Sequence, residues 1–259
     1  MAASFPDPSG RGAVAACAPR HIAWPCRADG RYQSGNAIWK GRGMCNLYAM
    51  TDSQQAIREA AGVMTDHTGN LAALPEIWPN TLAPVVRNAQ EGGRELVMAR
   101  WGMPTPPGYL KGRKVDRGVT NIRNPTSPWW KRWEGVAHRC LVPLTAFSEP
   151  EHLPDGSSRP IWFARSEGGP LAFFAGIWCQ WTSVRRLADG ETTDTLFGFL
   201  TTTANRVVGA IHPRAMPVIL TRPDELDAWM NAPAPDALRL QRPLADHALT
   251  IVPAPARQG

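Results

Sequence analysis

The chain of 259 residues has no apolar run approaching the roughly 18 residues that cross a bilayer as a helix, so a protein spanning a membrane by helices is excluded. Its five cysteines (Cys17, Cys26, Cys45, Cys140 and Cys179) show no regular spacing and no C-x₂₋₄-C pair. That excludes a disulfide scaffold, argues against a metal site, and fits a reducing compartment. No P-loop, GxGxxG, GxSxG or HExxH motif is present, which removes the commonest phosphate, dinucleotide, serine-hydrolase and zinc-protease chemistries. There is no internal repeat and no alternation of strand with helix. With 43% hydrophobic and 19% charged residues the composition is ordinary for a globular chain, so wholesale disorder is excluded too.

The net charge of +6 is unevenly placed. Six basic residues (Arg11, Arg20, Arg27, Arg31, Lys40 and Arg42) against two Asp put +4 of it in the first 43 residues. Whole-chain basicity is therefore weak evidence for nucleic acid. The same 43 residues carry nine Ala, six Gly and four Pro and show no sustained period. They hold no apolar run of the about 7–15 residues that a signal peptide needs. We read residues 1–43 as lying outside the fold, either an upstream start codon ahead of Met44 or a removable leader.

Patterned sequence begins at Met44. Thr51 and Gln54 fit a capping box, and Gln54 to Met64 reads as a helix with Ile57, Ala60, Ala61 and Met64 on one side. Gly69 to Pro84 is turn-rich. Short apolar runs then predict strands over Glu95–Trp101, Arg139–Pro143, Pro160–Ala164, Leu171–Trp178, Leu196–Thr203 and Met216–Leu220. Thr221 and Asp224 open a second helix through Leu226, Trp229 and Met230, stopped by Pro233 and Pro235. This predicts an α+β fold: a single domain with a mostly antiparallel, barrel-like β-sheet core and a few flanking helices. The domain spans residues 44–253, with 254–259 as a tail.

The first chemical candidate is Cys45. If translation starts at Met44 and the initiator is removed, Cys45 becomes the amino terminus and carries a 1,2-aminothiol. Its amine, with a pKa of about 7.7–8.0, is partly neutral near pH 7, and its thiol is a second nucleophile. An aldehyde meeting this pair forms an imine, and the sulfur then closes a thiazolidine. An internal cysteine cannot do so, because its nitrogen is an amide. The plain alternative is a small buried hydrophobe.

Lys111 to Arg139 holds eight basic residues against Asp116 and Glu134, with Trp129, Trp130 and Trp133 among them. Cations neutralise phosphates and aromatic faces stack unpaired bases, whereas a solvated surface with inward tryptophans has the same composition. Within the stretch, alternation puts Asn121 and Arg123 on one side of an extended chain, an arrangement suited to a phosphate or sugar oxygen. Glu149, after an apolar strand and near Phe147, and His212, between two predicted strands, are candidates for moving protons. Each has an ordinary alternative as a loop carboxylate or a backbone-satisfied imidazole.

In order, these pieces resemble one family. Met44-Cys45-Asn46-Leu47-Tyr48, Trp101-Gly102-Met103-Pro104, Asn121-Ile122-Arg123, Arg139-Cys140-Leu141-Val142-Pro143 through Phe147-Ser148-Glu149, Phe174-Ala175-Gly176-Ile177-Trp178 and Ile211-His212 through Met216-Pro217 follow the motif order of the SOS response-associated peptidase (SRAP) family, the abasic-site crosslinking proteins. The resemblance covers nearly all of residues 44–253. It implies a monomeric protein, cytoplasmic and associated with the nucleoid at damaged DNA, that binds single-stranded DNA containing abasic sites. It implies catalytic Cys45, Glu149 and His212, and a DNA-binding set of Asn121, Arg123, Trp101, Trp129, Trp130 and Arg132. Neither cofactor nor metal is expected, and self-cleavage and a lyase activity accompany the crosslink. The chain departs from the common pattern at Asn46-Leu47, where many members have Gly-Arg, at Asn124-Pro125, at Pro150, and in a segment after His212 that is one residue longer. These departures shift a base-stacking aromatic and a phosphate-binding cation to Trp129, Trp130 or Arg132. Two other readings stay open: a cysteine-dependent autoprocessing peptidase, and a non-catalytic single-stranded DNA-binding module.

Overall fold

The computed structural model describes residues 46–166 and 171–256. Cys45 and the segment before it lie outside these described residues. The strands, in chain order, are β1 Leu47–Met50, β2 Val63–Asp66, β3 Leu74–Ile77, β4 Leu82–Asn88, β5 Arg94–Trp101, β6 Asn121–Ile122, β7 Arg139–Leu144, β8 Ala146–His152, β9 Ser158–Arg165, β10 Ala172–Arg186, β11 Gly190–Thr202, β12 Met216–Pro217, β13 Ile219–Leu220 and β14 Leu249–Val252. The helices are short: α1 Gln54–Ala61, α2 Pro107–Leu110, α3 Arg206–Gly209, α4 Pro223–Asn231 and α5 Ala234–Ala237.

Strands β11, β10, β7, β4 and β5 are successive antiparallel neighbours. A parallel pairing of β5 with β11, Arg100 opposite Leu196 and Trp101 opposite Phe197, returns to the first strand and closes a five-stranded barrel. Closure leaves these strands without open edges, which suits runs this rich in aromatic and β-branched residues. A second, five-stranded sheet in the order β14-β9-β8-β1-β3 flanks the barrel. Tyr48 joins the two. It leaves β1 fully buried and packs edge-on against Trp101 at 5.1 Å, Phe174 at 5.5 Å and Phe199 at 6.2 Å between ring centroids. Burying such a ring contributes roughly 1.5–3 kcal/mol, and each aromatic pair about 0.5–1.5 kcal/mol more.

The α+β, barrel-like architecture agrees with the sequence pattern, and several local expectations change. Helix α1 is capped by Ser53, whose hydroxyl accepts from the Ala56 N–H, and not by Thr51. It ends at Gly62, which adopts φ 61°, a left-handed conformation that glycine takes without Cβ strain. Val63 and Met64, expected on the helix, instead begin β2. The turn-rich stretch contains β3 and the start of β4, where Pro84 pairs only with Met98 of β5. Proline is tolerated there because the pairing of β4 with β7 is confined to Val86 and Arg87. The predicted strands at Leu171–Trp178 and Leu196–Thr203 are halves of a long hairpin, β10–β11. The run Met216–Leu220 is split at Val218 between partners β11 and β10. Helix α4 starts at Pro223, where the Glu225 carboxylate accepts from the Thr221 and Arg222 N–H groups.

Candidate active site

Glu149 sits on β8 opposite Ile161 of β9 and is fully buried. On its other side β8 pairs with β1, Leu47 opposite Ser148. Because that pairing is antiparallel, the step from Ser148 to Glu149 runs toward the amino-terminal end of β1. Glu149 therefore lies beside the point at which the described chain begins. A buried carboxylate needs a partner to stay charged, and here Oε2 meets Nδ1 of His212 at 2.7 Å.

His212 is brought in by local structure. The one-turn helix α3 is capped by Asn205, whose side-chain oxygen accepts from the Val208 N–H. The Val208 carbonyl then accepts from the N–H of both Ile211 and His212, which winds the chain into a turn ahead of Pro213. A histidine held through Nδ1 by a carboxylate has its Nε2 left for proton exchange, the arrangement of an oriented acid–base histidine.

Asn121 lies on β6, and Arg123 directly follows that strand. Strand β6 runs parallel to β11 with Asn121 opposite Phe199. The Trp101 indole N–H donates to the Thr120 carbonyl at 3.3 Å, and the Asn121 amide donates to the Thr120 hydroxyl at 2.9 Å. Gln241 was not among the sequence candidates. Its side-chain amide donates to the Arg123 and Thr201 carbonyls, both at 2.9 Å, and so ties the Arg123 backbone to the end of β11. Nothing in its sequence setting marks this glutamine, because both partners are distant backbone carbonyls. The Arg123 side chain is exposed. The carboxyl end of β11 is thus the common base: Asn121 and Arg123 dock along it, and α3 and His212 follow it directly.

Other sequence candidates lie elsewhere. Trp101 is fully buried, stacked near Phe199 at 5.3 Å and Phe197 at 6.5 Å, so it is a core residue and not a platform for a base. Trp130 is also buried, within a cluster of Trp129, Trp133 and Trp181. Trp129 is half-buried, donates to the Pro104 carbonyl, and has the Arg132 guanidinium 4.2 Å over its ring. These tryptophans turn inward, and Arg132 covers the Trp129 face expected to stack a base. Arg139, counted in the basic stretch, is buried and donates to the carbonyls of Glu134, Trp229 and Ala232. Cys45, the expected nucleophile, lies outside the described residues. The thiols of Cys140 and Cys179 are buried in the core, and burial pushes that of Cys179 up to about 12 and that of Cys140 higher still. Among the described residues no cluster of His, Cys, Asp and Glu can hold a metal ion, and no helix is long and apolar enough to cross a membrane.

Three comparisons bear on this arrangement. A search of curated proteins finds no match. Among solved structures, a protein from Bordetella bronchiseptica is 24% identical with a TM-score of 0.61, over 83% of this chain and 100% of its own. A Bacteroides thetaiotaomicron protein is 20% identical with a TM-score of 0.62, over 81% and 92%. A phage-related protein from Bordetella bronchiseptica is 21% identical with a TM-score of 0.59, over 83% and 95%. At these identities the likeness shows a shared fold. A scan against protein families matches residues 44–257 to SOS response associated peptidase (SRAP), and the chain belongs to that family.

Proposed function

We propose that this protein captures abasic sites in single-stranded DNA as a covalent thiazolidine, with Cys45 as the amino-terminal residue of the working molecule. The observation that carries the reading is the pair of buried Glu149 and partly buried His212, 2.7 Å apart, beside the amino-terminal end of β1. Cys45 stands two residues before β1. A pair able to hold and move a proton is therefore next to the strand whose start leads back to the aminothiol.

The chemistry balances without a cofactor or metal. The deoxyribose opens to expose a C1′ aldehyde. The Cys45 amine adds to that carbon, and loss of water leaves an imine. The thiol sulfur then bonds to C1′ while its proton passes to the imine nitrogen, closing the ring. Glu149 and His212 shuttle protons in ring opening, dehydration and reversal, a contribution of about 10²–10⁴-fold for such groups. Asn121 and Arg123 hold the sugar and its phosphate. Self-cleavage ahead of Cys45 would use the same thiol and the same proton carriers to free the amine, and the imine gives a route to lyase activity. The setting is the DNA-damage response in the cytoplasm.

The test uses protein started at Met44 and a single-stranded oligonucleotide with one abasic site. Wild type is expected to give a shifted band that survives denaturation. An equal band from Cys45→Ala sinks the proposal. Intact mass of a chain started at Met1 reports whether self-cleavage occurs before Cys45.

A further inference from the structure

Between β5 and β6 the chain makes a loop, residues 103–118, whose neck is held rigidly. Gly102 and Gly118 cross so closely that a Cβ on Gly118 would lie 2.8 Å from the Gly102 Cα, and Gly118 adopts φ 77°. Met103 and Val119 exchange backbone hydrogen bonds at 2.9 and 2.7 Å just inside the crossing. The buried Arg185 guanidinium donates to the Gly102 and Asp116 carbonyls. Asp116 is the one carboxylate in the loop and is itself buried. It accepts from the Thr105 N–H and hydroxyl and from the Gly118 N–H. Its charge is spent inside the loop.

The outer arc is different. Lys111, Arg113, Lys114 and Arg117 are all exposed, and none forms an ion pair with another described residue. Tyr109, on α2, is 72% exposed. Four like charges on one arc repel one another, and no described carboxylate lies within ion-pair distance of any of them. The arc's aromatic faces water although the tryptophans of the adjoining stretch do not. The loop re-enters the fold two residues before Thr120 and three before Asn121.

We propose that this loop is a clamp on the backbone of single-stranded DNA. Lys111, Arg113, Lys114 and Arg117 take phosphates flanking the captured nucleotide, and Tyr109 stacks on an unpaired base. The inference rests on the preceding reading that single-stranded DNA is the substrate, and it moves base stacking from the inward-turned tryptophans to Tyr109. The pinned neck means that little order has to be acquired on binding.

The experiment titrates an undamaged oligothymidylate, labelled for fluorescence anisotropy, across a range of NaCl. It compares wild type with Lys111→Gln/Arg113→Gln/Lys114→Gln/Arg117→Gln, and with a control that removes as many charges elsewhere, Arg58→Gln/Arg159→Gln/Arg206→Gln/Arg239→Gln. Each lost phosphate contact should flatten the slope of log affinity against log salt by about 0.7, so by roughly 3 for the loop variant and far less for the control. Tyr109→Ala should weaken binding roughly 5- to 150-fold, with Tyr109→Phe close to wild type. A loop variant indistinguishable from the control, or a Tyr109→Ala protein that binds as wild type does, overturns the clamp. Thermal midpoints identify any variant that loses its fold, and single loop substitutions then carry the test. Crosslinking of an abasic oligonucleotide is measured in parallel. Loop-dependent binding without Cys45-dependent crosslinking defeats the functional reading and leaves the clamp standing, and the converse result defeats the clamp alone.

Discussion

His212 Nδ1 and Glu149 Oε2 meet at 2.7 Å although 63 residues separate them in the chain. The carboxylate has no exposure and the imidazole little, so each constrains the other's charge and tautomer.

Glu149→Gln keeps the shape of the side chain and removes its capacity to take a proton. It should slow crosslinking of an abasic oligonucleotide by about 10²–10⁴-fold under single-turnover conditions. The folded state should survive, since an amide can still accept from Nδ1. His212→Ala removes that donor and should also cost stability, about 1–3 kcal/mol by urea denaturation. A Glu149→Gln protein that crosslinks at the wild-type rate removes the pair from the chemistry.

The two core cysteines should be silent in the native protein. The Cys179 thiol is pushed up to about 12 and that of Cys140 further, in both cases by burial, so thiolate is scarce at pH 8. Iodoacetamide at pH 8 should leave both unmodified until the chain is unfolded. Peptide mapping by mass spectrometry reads the outcome directly, and rapid native labelling of either site contradicts the described burial.

Arg139 should matter to stability. Its guanidinium supplies donors to three carbonyls, two of them on or just after α4. Arg139→Met would leave these acceptors unmatched inside the protein, at about 1–3 kcal/mol for each that water cannot reach. The urea midpoint should fall accordingly. A midpoint within error of wild type refutes this bracing role.

Asp66 ties the loop after β2 to α1. Burial raises its pKa, but hydrogen bonds from the Thr68 hydroxyl and N–H and from the Gln54 amide outweigh that, and nearby Arg58 adds to them, so the net shift is downward. A depressed carboxylate contributes stability above its unfolded pKa of about 3.9, and that contribution is lost as pH falls through the folded value. Asp66→Asn should therefore be less stable than wild type at pH 6, and the two should converge in acid. Parallel stability curves across pH 2–6 would rule out this linkage.

Local sequence already carried much of this protein. Short apolar runs between turn residues marked most barrel strands, because side chains alternate across a pleat. The two longer helices were legible too, but not their bounds: the first stops at Gly62, two residues short of Met64, and the second starts at Pro223. Glu149, His212, Asn121 and Arg123 stood out separately by residue type and setting, and their order identified the family. Tertiary structure alone decided which of them meet. It placed Glu149 against His212, brought β5 beside β11 to close the barrel, and recruited Gln241 to the Arg123 backbone. It also sent Trp101, Trp130 and Arg139 inward and left Tyr109 in water. Large amphipathic side chains are stable in either place, provided their polar atoms find partners. Those partners here are backbone groups and rings far away along the chain, and only the pairing of strands determines which of them are near.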